Sequence, residues 1–257
     1  MTEELLVERH DGIVTATFNR PKARNALTYA MYDGLGALVT EIDADPSVKA
    51  LVLSGAGGEA FAAGTAIAQF ESLRTEADSL AYEGRIETLL SALERCRVPT
   101  IAALAGACTG GGAMIAACCD LRLAASNLKF GFPIARTLGN CLSTQNLARL
   151  VALVGEARVK AMIFTTRLMD AEEAFVCGLV AELVPDADSL AARADALAHE
   201  VAALAPLTLR ATKEALLRVR QTVPPADDIV TACYTSRDFR EGVEAFVARR
   251  KPRWEGR

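Results

Sequence analysis

The chain has 257 residues, 51% of them apolar, with a formal net charge of −4 and a pI near 5.4, which is enough apolar material for one main core with a small appended helical piece. The acidic balance argues against generalised nucleic-acid binding, and charged or polar residues interrupt every apolar run well before the roughly 18 residues that a membrane span requires. Seven cysteines without a CxxC spacing and an N-terminus without a signal pattern lead us to expect a cytoplasmic protein with reduced thiols, no metal site and no membrane attachment.

In chain order, residues 5–9 and 13–18 alternate about Asp11-Gly12 as a hairpin does. Thr28 is placed to cap a helix running towards Ile42, and Asp45-Pro46 closes the connection to a strand over residues 50–54. A helical pattern over residues 66–96, broken near 76–81, leads through Arg97-Val98-Pro99 into a strand over 100–104, and another strand is expected over 121–125. Beyond Ser143 the pattern is mostly helical: a capping signature at Asp170-Ala171-Glu172-Glu173, a short strand near 179–184, long helices over 189–204 and 207–220, and a hinge at Pro224-Pro225. Periodicity alone gives an α/β fold, and the order of elements suggests repeated ββα units followed by helices.

Two glycine junctions stand out. The strand-like run ending at Leu104 feeds Ala105-Gly106-Ala107-Cys108-Thr109-Gly110-Gly111-Gly112, where three glycines open an Ala-rich helix, and a second run is followed by Ala60-Phe61-Ala62-Ala63-Gly64-Thr65-Ala66-Ile67. Such junctions let a ligand approach the backbone and present unpaired N–H groups backed by a helix dipole, which suits an anion. A tight turn packed for steric reasons is the plainer explanation of either one alone. His10 and His199 lie away from both junctions, so a Ser-His-Asp or Cys-His arrangement has little material.

These two segments, together with Asn19-Arg20-Pro21-Lys22-Ala23-Arg24-Asn25-Ala26-Leu27-Thr28, Cys119-Asp120-Leu121-Arg122 and the tail from Glu241-Gly242 to Trp254, resemble in order the motifs of the crotonase superfamily, the enoyl-CoA hydratase/isomerase family. The resemblance implies an α/β crotonase-like spiral of stacked ββα units with a C-terminal helical region. We expect a core over residues 1–200 and a region over 201–257 for oligomerisation and pocket closure. It further implies an acyl-CoA thioester as substrate, with coenzyme A as part of it and no separate cofactor. A thioester enolate would be held by the backbone N–H groups of Thr65 and Gly111. Ala63, Ala66, Ile67, Lys22, Arg24, Phe246 and Lys251 fall at positions that reach coenzyme A in the family, whose members assemble as trimers or dimers of trimers.

The departures from the pattern bear on the chemistry. Hydratases of the family carry one glutamate two residues after the glycine triplet and a second after the proline of an FGxPE segment, where this chain has Met114 and Ile134. A site lacking both acid–base groups, each commonly worth ~10²–10⁴-fold, is expected to be a poor hydratase. The following loop is two residues short, and Asn140 and Cys141 are its candidate polar groups. Arg136 is a further candidate for pairing with a carboxylate-bearing substrate. Glu71, Tyr82, Glu83, Arg85, Tyr234 and Asp238 fall where the family varies or closes its acyl pocket, and their default reading is solvated surface or packing. Decarboxylation or hydrolysis of a CoA thioester, or acyl-CoA binding without turnover, are the alternatives to altered hydration. The GxGxxA match at Gly55-Ala56-Gly57-Gly58-Glu59-Ala60 is set aside as a dinucleotide fingerprint, because Gly64 interrupts the helix it requires and no second strand follows at the right distance.

Overall fold

The computed structural model describes residues 3–71, 73–220 and 227–255. Strands β1 (Leu5–His10) and β2 (Ile13–Phe18) form an antiparallel hairpin whose turn holds Asp11 at φ 48° and Gly12 at φ 81°, the left-handed pair that a two-residue turn requires. Helix α1 (Tyr29–Ala44) begins at Thr28, whose hydroxyl accepts the Met31 N–H. It returns the chain to β3 (Ala50–Gly55) and β4 (Ala60–Ala63), followed by α2 (Glu76–Arg95).

The next unit is β5 (Thr100–Leu104), β6 (Ala107–Thr109) and α3 (Gly110–Cys118), and the third is β7 (Leu121–Ala125), β8 (Lys129–Gly131) and α4 (Ile134–Thr137). Each unit gives its first strand to one sheet and its second to another. The larger sheet has the order β1-β2-β3-β5-β7 and ends on β10 (Glu182–Val184), parallel beyond the first hairpin. The smaller runs β4-β6-β8 and ends on β9 (Met169–Asp170). This is the spiral of ββα units that the order of elements suggests. Helices α5 (Thr144–Val154) and α6 (Glu156–Thr165) precede β9, α7 (Ala171–Val176) lies between β9 and β10, and the chain finishes with α8 (Ala187–Ala202), α9 (Pro206–Arg220), α10 (Asp227–Tyr234) and α11 (Arg237–Val247).

Both faces of the larger sheet are covered at its central strands β3 and β5, which are accordingly almost wholly apolar. Ala50 and Val52 face Leu190, Ala194, Ala198 and Val201 of α8, whereas Leu51 and Leu53 face the main core with α1 and α2. The period of two in the strand and the i, i+4, i+8, i+11 spacing on α8 meet at that interface.

The structure differs from the sequence reading at three places. The described residues between 66 and 75 hold only a single 3₁₀ turn, Ile67–Gln69, and α2 begins at Glu76, inside the stretch expected to break the helix. There Thr75 and Asp78 form a reciprocal capping box. The short strand expected over 179–184 is confined to Glu182–Val184. Neither glycine junction follows the larger sheet directly, because β4 and β6 intervene. The hinge expected at Pro224-Pro225 lies outside the described residues.

Candidate active site

A cavity of about 480 Å³ opens where β4, β6, the first turn of α3, α4 and α10 converge on α2. Thr65, Gly111, Met114, Ile134, Asn140 and Cys141 all line it, as do Arg24, Ala63, Ala66, Ile67 and Phe246. Lys22 and Lys251 are exposed and do not line it. The two glycine junctions, 46 positions apart in the chain if counted from Thr65 to Gly111, are thus brought to one wall.

Local hydrogen bonding shows why each junction leaves a donor over. Leu27 N–H donates to the Gly64 carbonyl at 2.8 Å and Ala66 N–H to the Leu27 carbonyl at 2.8 Å, so the Thr65 amide between them points away from Leu27. Gly111 occupies the first turn of α3, where N–H groups have no intrahelical partner, and the preceding Thr109 contributes no side-chain cap. A Cβ at Gly111 would lie 2.2 Å from the Tyr32 hydroxyl and 3.0 Å from Thr65 Oγ1, and one at Gly112 would lie 2.2 Å from the Ala62 carbonyl. Only glycine lets α3 approach β4 and the tyrosine so closely.

Behind this wall Tyr32, Thr65 and Tyr82 form a hydroxyl chain, with Oη to Oγ1 distances of 2.8 Å for Tyr32 and 3.1 Å for Tyr82. Burial raises both phenols above the ordinary value, so they stay neutral. The chain fixes the Thr65 side chain. Sequence reasoning had no place for Tyr32, whose one clue is that it recurs with Leu35, Val39 and Ile42 on the buried face of α1.

The same cavity holds a second polar group in an otherwise apolar surround. The Tyr234 hydroxyl donates to Glu83 Oε1 at 2.8 Å, and Asn140 Nδ2 donates to the Tyr234 oxygen at 3.3 Å. Asn140 Oδ1 is buried and has no partner among the described residues. Glu83 is the one carboxylate, and Arg24 the one cation, among the described residues lining the cavity. Burial, reinforced by the negative charge of Glu87, pushes the Glu83 carboxyl up to about 7 despite the opposing hydrogen bond from Tyr234. Cys141 is raised above the ordinary thiol range by its hydrogen bond with Cys233 and by burial.

The other sequence candidates separate clearly. Tyr82 and Tyr234 line the cavity with Glu83, so packing alone does not describe them. Arg136 is exposed. Arg85 pairs with Asp33 at 2.8 Å and covers the Tyr29 ring, Glu71 lies beside a neighbouring groove, and Asp238 accepts the Glu255 N–H. Arg250 is held by Glu241. Several motif residues are structural: Asn25, fully buried, accepts the Arg20 N–H and donates to the Ala56 and Ala60 carbonyls, and Arg122 donates to the carbonyls of Leu179, Ala116 and Cys119. Asp120 receives the Thr100 N–H and Lys213.

The sequence profile of the enoyl-CoA hydratase/isomerase family matches residues 8–257. The chain belongs to the enoyl-CoA hydratase/isomerase family. It is 35% identical over 260 residues to the probable enoyl-CoA hydratase echA8 of Mycobacterium tuberculosis, covering 99% of each chain. Among solved structures it superimposes on an enoyl-CoA hydratase/carnithine racemase from Magnetospirillum magneticum with a TM-score of 0.81 at 35% identity, over 100% of this chain and 97% of that one. A methylmalonyl-CoA decarboxylase in complex with 2-nitronate-propionyl-CoA matches with a TM-score of 0.89 at 25% identity, over 100% of both chains. No described helix is long and apolar enough to cross a membrane.

Proposed function

We propose that this family member binds an acyl-CoA thioester with the thioester oxygen between the amides of Thr65 and Gly111, and that these two donors stabilise an enolate. The observation that carries the reading is the convergence of both glycine junctions on one wall of a single cavity, each with an amide left over by its local hydrogen bonding. Preorganised donors of this kind are worth about 3–4 kcal/mol each in a transition state. Coenzyme A, as part of the substrate and with no further cofactor, would run past Ala63, Ala66, Ile67 and Arg24 towards Phe246, with exposed Lys22 and Lys251 available to its phosphates. We expect a cytoplasmic homotrimer or dimer of trimers. Helix α9 supports assembly, since it has no buried residue and exposes Leu207, Leu216 and Val219.

Met114 and Ile134 face the cavity where the hydratases of the family hold glutamates, so paired acid–base addition of water has lost both its groups. Hydration of crotonyl-CoA should therefore run well below the ~1 per second at the low end of ordinary enzyme turnover. Decarboxylation of a malonyl-type thioester is the second reading, favoured by the full-length likeness to the decarboxylase structure, because loss of carbon dioxide generates the enolate without a base. Titration with acetoacetyl-CoA, whose enolate absorbs in the near ultraviolet, tests the common core of both. Saturable growth of that absorbance, reversed by competing acyl-CoA, is the expected result. Its absence would overturn the reading.

A further inference from the structure

The cavity lined by Thr65 and Gly111 also contains a carboxyl group that no family motif accounts for. Helix α2 points Glu83 into the cavity, and α10 fixes it from the far side through the Tyr234 hydroxyl on Oε1. Among the described residues Oε2 takes no hydrogen bond and Glu83 has no cation partner. Next to it the buried Asn140 Oδ1 also lacks a partner, although buried acceptors are almost always satisfied. A carboxylate and an acceptor left open together in an apolar cavity await a ligand.

We propose that Glu83 is the proton carrier of this site, taking a proton from the carbon next to the thioester carbonyl of a bound acyl-CoA and giving it back, with Tyr234 as its positioning residue. The inference rests on the acyl-CoA reading above. In the step, the Cα–H bond breaks, the proton passes to Glu83, and the bonding pair moves into the carbonyl to give the enolate held by the two amides. Return of a proton to Cα closes the cycle without another reactant. One carboxyl can serve this transfer although it cannot replace a pair that activates water and protonates carbon together. The other titratable side chains of the cavity are less suited: Cys141 is raised by its bond with Cys233, and Tyr32 and Tyr82 are neutral phenols committed to Thr65.

The ionised form of Glu83 is the base, so exchange should rise with pH and level off above about 7. The groups facing it are Glu87 and Tyr82 on α2, Tyr32 on α1, Tyr234 and Cys233 on α10, and Cys141 in the loop before α5. All are neutral or anionic, which is why nothing draws the profile down.

The test is deuterium incorporation at Cα of butyryl-CoA in D2O, followed by mass spectrometry, beside the acetoacetyl-CoA absorbance of each variant. Wild type should exchange; Glu83→Gln should exchange at least ~100-fold more slowly while keeping the enolate absorbance, and Glu83→Asp should recover part of the rate. Tyr234→Phe should move the pH midpoint upward, because the bond it removes favours the ionised carboxyl. Exchange by Glu83→Gln within about twofold of wild type, or a wild type that shows the absorbance but no exchange, would overturn the proposal. A wild type without the absorbance would instead overturn the acyl-CoA reading and take this proposal with it.

Discussion

Glu83 and Glu87 lie one turn apart on α2, and their surroundings push them in opposite directions. Burial opposes ionisation at Glu87, yet Arg149 grips both its oxygens at 2.5 and 2.6 Å and, with Ser91, keeps its pKa below the ordinary value. Arg149 is itself only 3% exposed, reaches Glu94 at 2.9 Å, and Glu94 in turn is held by Arg220. Glu83 receives one neutral hydroxyl and no cation, and stays poised near 7. The difference separates a carboxylate committed to holding α2 against α5 from one left available to a ligand. Helix position does not distinguish them, whereas the partner each receives from a distant segment does.

The largest effect should come from removing the shared cation. Arg149→Met leaves the half-buried Glu87 without its cation and the buried Glu94 with Arg220 alone, and should cost about 3–5 kcal/mol in denaturant unfolding. A loss below about 1 kcal/mol would place the network among ordinary surface pairs. Next comes Glu83→Gln. Because the folded protein raises this carboxyl from 4.5 to about 7, ionising it opposes folding, and the penalty grows as pH rises from about 4.5 through about 7. The variant should match wild type below pH ~4.5 and exceed it by up to about 3 kcal/mol above pH ~7, measured by urea unfolding across that range. The smallest change sharpens the comparison itself: Glu87→Gln removes the charge that helps raise Glu83, so the exchange midpoint should fall by less than about one pH unit. An unchanged or raised midpoint would show that the two carboxyls do not communicate.

Much of this architecture is legible in the chain because the strands are short apolar runs bounded by Asp-Gly, Asp-Pro and Val-Pro steps, and because Thr28 caps α1 where expected. Residues 66–75 misled for a physical reason. Ile67, Phe70 and Leu73 recur every third position, a spacing that a 3₁₀ turn and an irregular cavity wall share with a helix face. The glycine junctions and the positions of Met114 and Ile134 are readable from local register, and all of them reach one cavity. Glu83 is visible in the sequence only as a polar residue on a helix. Its distinction depends on Tyr234, 151 positions later, and on Arg149, 62 positions after Glu87, being spent elsewhere. Neither pairing has a local signal.

The most direct test of the account is the pKa of Glu83 itself, read from the pH dependence of carboxyl carbon shifts in protein labelled at glutamate and assigned by difference from Glu83→Gln. One glutamate should titrate near 7 and be absent from the variant, with Glu87 still ionised well below that pH. A Glu83 signal titrating near the ordinary 4.5 would contradict it, because the carboxyl would then be as well compensated as its neighbour and would have no special standing in the site.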